Sequence, residues 1–214
     1  MSPSTLFRIS GLALVLAAAM FVVAEMLAFS IFVREGDGYD LRSFAASNTF
    51  ILQSLLTLLA GTLLLGGLVG LYVRQSEAAG KLGLISFLLA FLGTALVTGD
   101  FYVNTVVTPM VAMEVPAFLD NPLSGFLQVW LPVSFGILTL SWLLLGVSIV
   151  RTRVYPRGAS WLLLIGAVVA LAPLPLDNLP FDVALAWLGF ALLKEREPPR
   201  RRSTTPRRQR SGAK

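Results

Sequence analysis

Six runs of apolar residues, separated by short polar or proline-containing segments, take up most of the chain. Because the hydrocarbon core of a bilayer is about 30 Å thick, a helix of about 20 apolar residues is long enough to cross it. Only 14% of the residues are charged, whereas a soluble domain carries about 25%. The pattern therefore predicts an all-α, polytopic bundle of about six transmembrane helices. The predicted spans are 9–33, 50–73, 82–103, 126–150, 161–176 and 181–193.

Both ends of the predicted bundle leave an alternative open. Three small residues, Ala17 to Ala19, follow Arg8 and resemble a signal-peptide cleavage site. The apolar run continues to Val33, however, which favours an uncleaved first helix. The last run has about 13 residues, equivalent to roughly 20 Å of helix. It follows a proline-containing turn at 173–180, so it either crosses the membrane or re-enters from the same side.

The distribution of lysine and arginine gives the predicted bundle an orientation. Fifteen of the 17 basic residues fall on one side, in segments 1–8, 74–81, 151–159 and 194–214. The other side holds only Arg34 and Arg42. Leaving out the C-terminal segment still gives six basic residues against two. Because positive charge is retained on the cytoplasmic side, both termini are predicted to be cytoplasmic, with the protein in the inner (plasma) membrane.

The C-terminal segment 194–214 has a different character from the rest of the chain. It holds nine Lys and Arg residues and no hydrophobic period, so we expect a disordered tail after a membrane domain of residues 1–193. Beside a membrane, such a tail gains roughly 1 kcal/mol per basic residue from anionic lipid headgroups. No aromatic residue lies among its arginines, so specific nucleic-acid binding is not expected. The bilayer is the expected partner, and a membrane-protein partner or a second copy is left open.

The chain contains no cysteine and no histidine. The first absence excludes disulfides and thiol chemistry. The second excludes the usual haem ligand, the commonest zinc ligand and a Ser-His-Asp triad. The sequence also shows no phosphate-binding glycine loop. We therefore expect no enzymatic activity, no catalytic residue, no cofactor and no metal site.

Glu25 is the most informative polar residue within the apolar runs. It lies eight positions before the end of its run, which places it roughly 12 Å below the outer membrane edge by helical rise. A carboxyl group at that depth should face other helices and find a partner. We expect a largely protonated group that is hydrogen-bonded to Gln53 or to the third helix. A proton or cation site and a purely structural hydrogen bond are equally supported.

Other polar residues are predicted to share the outer half of the bundle with Glu25. Asp100 and Asn104 continue one face of the third helix, and Gln53 begins a polar stripe with Thr57 on the second. A position in the headgroup region is favoured for Asp100 taken alone. The candidate cluster consists of Glu25, Gln53, Asp100, Asn104 and Gln128.

Four further features are assigned mainly structural roles. Asp177 and Asp182 are weaker site candidates near the last helix, and Asp177 is predicted to cap that helix through its backbone N–H groups. Gly66 and Gly70 form a GxxxG pair that predicts close helix packing. Trp142 lies deep in its run, where core packing is favoured over a ligand site.

The turn between the fourth and fifth runs has a recognisable pattern. A glycine-containing helix, 135–146, precedes Arg-Thr-Arg-Val-Tyr-Pro-Arg at 151–157, and an apolar stretch begins at Trp161. This pattern resembles small bacterial integral membrane proteins with about six transmembrane helices, in which an arginine-flanked, proline-containing cytoplasmic turn joins two late helices. The resemblance implies a bacterial inner membrane and no established activity, and it transfers no catalytic residue.

Two functional hypotheses follow from these observations. A non-enzymatic structural, accessory or sensing membrane component is favoured, because no catalytic set is recognisable and the loops are short. The alternative is a small transporter or channel for protons, cations or a small cationic or apolar solute, which would use Glu25 and the outward-facing polar cluster. Eight acidic residues at the outer side support this alternative, since a negative surface attracts cations.

Site-specific tags test the predicted topology. Tags at Asp37 and Asp120 should react with a membrane-impermeant reagent in intact cells, because both positions fall on the side with few basic residues. A tag at Arg153 should react only after the cells are permeabilised. Labelling of Arg153 in intact cells would contradict the orientation.

Overall fold

The computed structural model describes residues 3–35, 44–115, 117–118, 126–171 and 176–194, and every regular element in these ranges is helical. The predicted all-α architecture is therefore confirmed. Three helical segments are long and apolar enough to cross a membrane, and two shorter helices are also apolar. The predicted tail lies outside the described residues from 195 onward.

The helices are α1 (Pro3–Glu35), α2 (Asn48–Tyr102), α3 (Thr108–Glu114), α4 (Phe126–Thr152), α5 (Arg157–Val169) and α6 (Leu179–Leu193), with a π-helical turn (Val103–Val107) between α2 and α3.

The long helix α2 is folded back on itself at Gly80. The backbone of Gly80 has φ 54° and ψ −143°, a conformation that is open to glycine and strained for other residues. The rings of Tyr72 and Phe87 stack with their centroids 4.5 Å apart, and Gly61 lies against Thr98. In each pair, the two residues lie at nearly equal distances before and after Gly80 in the sequence. We call residues 48–79 the first arm of α2 and residues 81–102 its second arm.

The helices close into a ring around a common core. On one side of the first arm, α1 packs through Ser10, whose hydroxyl donates a hydrogen bond to the Gly66 carbonyl at 3.0 Å. On the second arm, the Thr94 hydroxyl accepts a 3.1 Å hydrogen bond from the indole N–H of Trp142 in α4. The ring continues from α4 to α5, from α5 to α6, and from α6 back to α1. Its core is formed by buried side chains such as Leu14, Leu68, Leu145, Leu163 and Leu188.

Two glycines allow α1 and α6 to approach closely. A methyl group added to Gly189 would lie 2.8 Å from the Gly11 carbonyl oxygen, and one added to Gly11 would lie 2.8 Å from the Gly189 carbonyl oxygen. The two glycines of the GxxxG pair differ in how closely they pack, although the motif predicts close packing for both. Gly70 packs directly against Ser10, whereas an added Cβ at Gly66 would meet nothing within 4 Å. Close packing therefore depends on Gly70 and on the Gly11–Gly189 contact.

A pair of glycine substitutions tests this packing. Gly189→Ala should lower the free energy of unfolding by about 1–3 kcal/mol, because the added methyl group overpacks a backbone contact. Gly66→Ala is the matched control and should leave stability unchanged or slightly increased, since alanine has the higher helix propensity. Thermal unfolding of both variants in the same detergent measures the difference. Equal melting temperatures would show that the α1–α6 contact is looser than described.

Candidate functional site

A cavity of about 370 Å³ lies inside the ring of helices. Its wall is formed by α1, both arms of α2, α4, the turn before α6 and the first residues of α6, while no described residue of α5 lines it. A volume of this size is within the range of pockets that hold small molecules. The cavity brings together residues that are distant in sequence.

Three acidic residues meet at this cavity. Glu25 comes from α1, Asp177 from the turn before α6, and Asp182 from the first turn of α6. Glu25 lies within electrostatic range of both Asp177 and Asp182. Asp182 is only 2% exposed and belongs to the first turn of α6. No lysine or arginine is present among the described residues that line the cavity.

Asn178 connects two of these acids. Its side chain and backbone N–H interact electrostatically with Glu25, and its side-chain amide donates a 2.8 Å hydrogen bond to Asp177. Partial burial raises the pKa of Asp177, although the backbone N–H groups of Asn178 and of Asp177 itself oppose that shift. The turn before α6 therefore attaches to α1 at the level of Glu25.

Several polar atoms at the cavity remain without a hydrogen-bond partner. These buried atoms are Glu25 Oε2, Gln53 Oε1 and Asp182 Oδ2, as found within the described residues. Buried polar side-chain atoms are bonded in the large majority of cases, so each exception requires an explanation. All three residues line the same cavity. Hence three residues that line the cavity each carry one buried oxygen without a hydrogen-bond partner among the described residues.

Aromatic rings form much of the remaining wall. The rings of Trp142 and Phe181 meet edge to face with centroids 4.9 Å apart. Phe21 and Phe101 meet in a similar way at 6.2 Å, and Phe135 completes the set. Aromatic faces attract cations through the ring quadrupole. Trp142 was expected to pack in the core. It is 2% exposed, as expected, and it also lines the cavity.

The predicted cluster is only partly assembled at this cavity. Glu25 and Gln53 both line it, but the polar residue found to interact with Glu25 is Asn178, not Gln53 as expected. Asp177 and Asp182, the weaker candidates, join them. Asp177 does not cap α6, because Asn178 occupies the N-cap position and no side chain bonds the cap.

Asp100 and Asn104 lie away from the cavity. The Asp100 carboxylate accepts hydrogen bonds from the Ser134 hydroxyl at 2.7 Å and from the Trp130 indole at 3.2 Å. It therefore ties the second arm to α4. Asn104 is exposed in the π-helical turn, and its side chain accepts a 3.3 Å hydrogen bond from Thr108. Gln128 belongs to α4, and its side chain lies outside the described part of the structure.

A multidentate metal site is not evident in the structure. Among the described residues, no group of three or more His, Cys, Asp or Glu side chains is arranged to hold a metal ion. Glu25, Asp177 and Asp182 are electrostatic neighbours and do not form a common coordination shell. The arrangement is better suited to a molecule that fills the aromatic space and places a positive group at the acids.

No family model, curated protein sequence or solved structure matches this chain. The chemistry of the cavity therefore has to be interpreted from its own residues.

Asp100 provides a test of which acids are structural. Asp100→Ala should lower stability by about 1 kcal/mol, as is typical of interhelical hydrogen bonds in lipid. Asn104→Ala should have no measurable effect, because Asn104 is exposed. A double-mutant cycle with Ser134→Ala, followed by thermal unfolding, should show a coupling between Asp100 and Ser134. Additive effects would mean that this hydrogen bond contributes nothing to stability.

Proposed function

We propose that this protein crosses a bacterial inner membrane six times, with both termini in the cytoplasm, and binds a small organic cation in its central cavity for transport or sensing. The apolar helices support the membrane location, and the reversal at Gly80 supports two crossings for α2. The bias of basic residues supports the orientation. The resemblance of the arginine-flanked turn to small bacterial membrane proteins agrees with both.

The short helix α6 fits this topology because of its position beside α1. Gly189 contacts Gly11 near one end of α6, and Asp182 lies beside Glu25 near the other. On the proposed topology, α6 runs from the cytoplasmic side to the depth of Glu25, roughly 12 Å below the outer edge by helical rise. Between that depth and the outer membrane edge the bundle then contains one helix fewer, which supports access to the cavity from outside. Local thinning of the bilayer accommodates such short helices.

The observation that carries the binding proposal is the pair of carboxyl groups, Glu25 and Asp182, in an aromatic cavity whose described lining has no basic residue. Carboxyl groups within a membrane are costly and almost always face a partner or a water-filled cavity. One buried oxygen of each group has no hydrogen-bond partner among the described residues. A cation held between the two carboxyl groups and the aromatic rings would interact favourably with both.

Asp100 shows what a structural acid looks like in the same protein. Its two carboxylate oxygens each accept a hydrogen bond from α4. If Glu25 and Asp182 served only to join helices, a comparable set of donors would be expected around them. The contrast favours ligand binding over a purely structural role, which the sequence supports equally for Glu25. It leaves the expectation of a non-enzymatic protein as part of the proposal.

Two ligands of equal size test the proposal. 2-Phenylethylammonium and 2-phenylethanol share the aromatic group and both donate hydrogen bonds, but only the first is charged. Titration calorimetry of the protein in lipid nanodiscs should detect the ammonium ion and little or no binding of the alcohol. Glu25→Gln and Asp182→Asn should each weaken binding by about tenfold, which corresponds to about 1.4 kcal/mol.

Glu114→Gln is the matched control, because Glu114 is an exposed acid on α3. It makes the same carboxyl-to-amide change away from the cavity and should leave the affinity unchanged. If the alcohol and the ammonium ion bind equally, or if neither cavity variant changes the affinity, the cation proposal fails. The structural or accessory role would then be the better account of this protein.

A further inference from the structure

We infer that the turn between α4 and α5 binds the phosphate group of an anionic phospholipid through Arg153 and Arg157. This site is separate from the central cavity, and it requires neither a cation ligand nor a particular orientation of the bundle. It requires only that the apolar helices lie in a membrane, which their length and composition support. The evidence is a second cavity, the residues that line it and its place at the end of α4.

The second cavity has a volume of about 320 Å³ and is formed by residues that are close together in the chain. The lining comes from the end of α4, the turn that follows and the first turns of α5, and it consists of Val150, Arg153, Tyr155, Arg157, Ser160 and Trp161. Both arginines are exposed. No acidic residue is found among the described residues that line this cavity. The cavity therefore combines two positive side chains with no negative one.

This second cavity lies at one edge of the apolar part of the bundle. The candidate span in α4 ends at Thr152, and the apolar helix α5 begins at Arg157. In a membrane, the turn between these residues is at the level of the lipid headgroups, which lie directly outside the hydrocarbon core. Trp161 is 53% exposed, and tryptophan is enriched at this level of a membrane. A phospholipid bound here would place its phosphate at the arginines and its apolar part beside the indole.

The turn is held against the rest of the bundle by Tyr155. The side chain of Tyr155 is 3% exposed, and its hydroxyl donates a 2.9 Å hydrogen bond to the Leu71 carbonyl in the first arm of α2. The Arg74 guanidinium lies 4.7 Å from the centroid of the same ring. Two residues earlier, Arg153 has a φ of 54°, which residues other than glycine seldom adopt. The anchored ring keeps the turn, and with it both arginines of the cavity, in one place.

The chemistry of the arginine side chain favours a phosphate over other anions. The planar guanidinium group can donate two parallel hydrogen bonds to a pair of phosphate oxygens. The first turn of α5 contains Arg157 and no acidic residue, and no side chain caps it. Because the N-terminal end of a helix carries partial positive charge, it adds to the attraction that the two arginines exert on an anion.

The charges at the cavity also indicate which phospholipid fits it. Phosphatidylcholine carries a cationic group beside its phosphate, and two arginines without a neighbouring acid repel that group. Phosphatidylglycerol carries the phosphate charge alone. Basic pockets between membrane helices are known to bind anionic headgroups for this reason. The expected ligand is therefore a phospholipid with a net negative headgroup.

The test measures lipid binding to the full-length protein by native mass spectrometry, with phosphatidylglycerol and phosphatidylcholine that have the same acyl chains. Arg153→Gln and Arg157→Gln should each weaken the tightest binding of phosphatidylglycerol by about fivefold, because each removes one basic group beside an anionic lipid. Phosphatidylcholine should bind the wild-type protein more weakly, and its binding should be the same in all variants. The basic C-terminal segment is identical in every protein compared, so its contribution cancels.

Arg151→Gln is the matched control. Arg151 is an exposed arginine in the last turn of α4 that does not line the cavity, so its substitution removes the same charge and should leave lipid binding unchanged. The melting temperature without added lipid should be the same for all four proteins, since the three arginines are exposed.

Four results would overturn the inference, and none of them bears on the cation cavity. If neither cavity variant weakens binding, Arg153 and Arg157 do not form a lipid site. An equal loss in Arg151→Gln would show that the lipid responds to the total charge of the turn. Equal binding of phosphatidylcholine would refute the preference for anionic headgroups. If soluble glycerol phosphate binds as tightly as phosphatidylglycerol, the site takes free phosphate esters and the assignment to a phospholipid is wrong.

Discussion

The close contact between α1 and α6 is the constraint on which the rest of the structure depends. Gly11 and Gly189 permit the backbones of these helices to meet, and this contact closes the ring that begins with α1 and the first arm of α2. In a lipid environment apolar surface alone does not hold helices together, so small residues that permit close packing are decisive. One consequence is chemical. With α6 held against α1, Asp182 and the turn at Asn178 come to lie beside Glu25.

The buried acidic side chains of this protein have two kinds of environment, which differ in the hydrogen-bond donors that the neighbouring helix provides. Asp100 faces Ser134 and Trp130, which supply two donors and fix the second arm to α4. Glu25 and Asp182 line a cavity whose walls are largely aromatic, and each has one buried oxygen without a hydrogen-bond partner among the described residues. The carboxyl group is the same in all three residues. Its role follows from what the opposing helix offers.

Much of the helical architecture could be predicted from the sequence, because apolar runs of sufficient length have few alternatives to a helix in lipid. Glu25 and Gln53 were identifiable as site residues from their depth and helical face. Asp182 was predicted only as a weaker site candidate, because its neighbours depend on how α6 packs against α1, which no local sequence pattern shows. Asn104 was assigned to the site on regular helical spacing, but the π-helical turn at Val103–Val107 interrupts that spacing and Asn104 is exposed. Trp142 was assigned to the core, since a single sequence does not show that the core contains a cavity.

Leaving oxygens unbonded at the cavity carries a cost in stability that the remaining packing must offset. Each buried acceptor without a partner costs about 1–3 kcal/mol. Elsewhere in the ring the helices pack mainly through small residues and leucines. Removing these polar groups by mutation would therefore stabilise an empty bundle, and a sequence under pressure for stability alone would replace them. Natural proteins depart from full polar satisfaction mainly at functional sites, and on the proposed function the cavity is such a site.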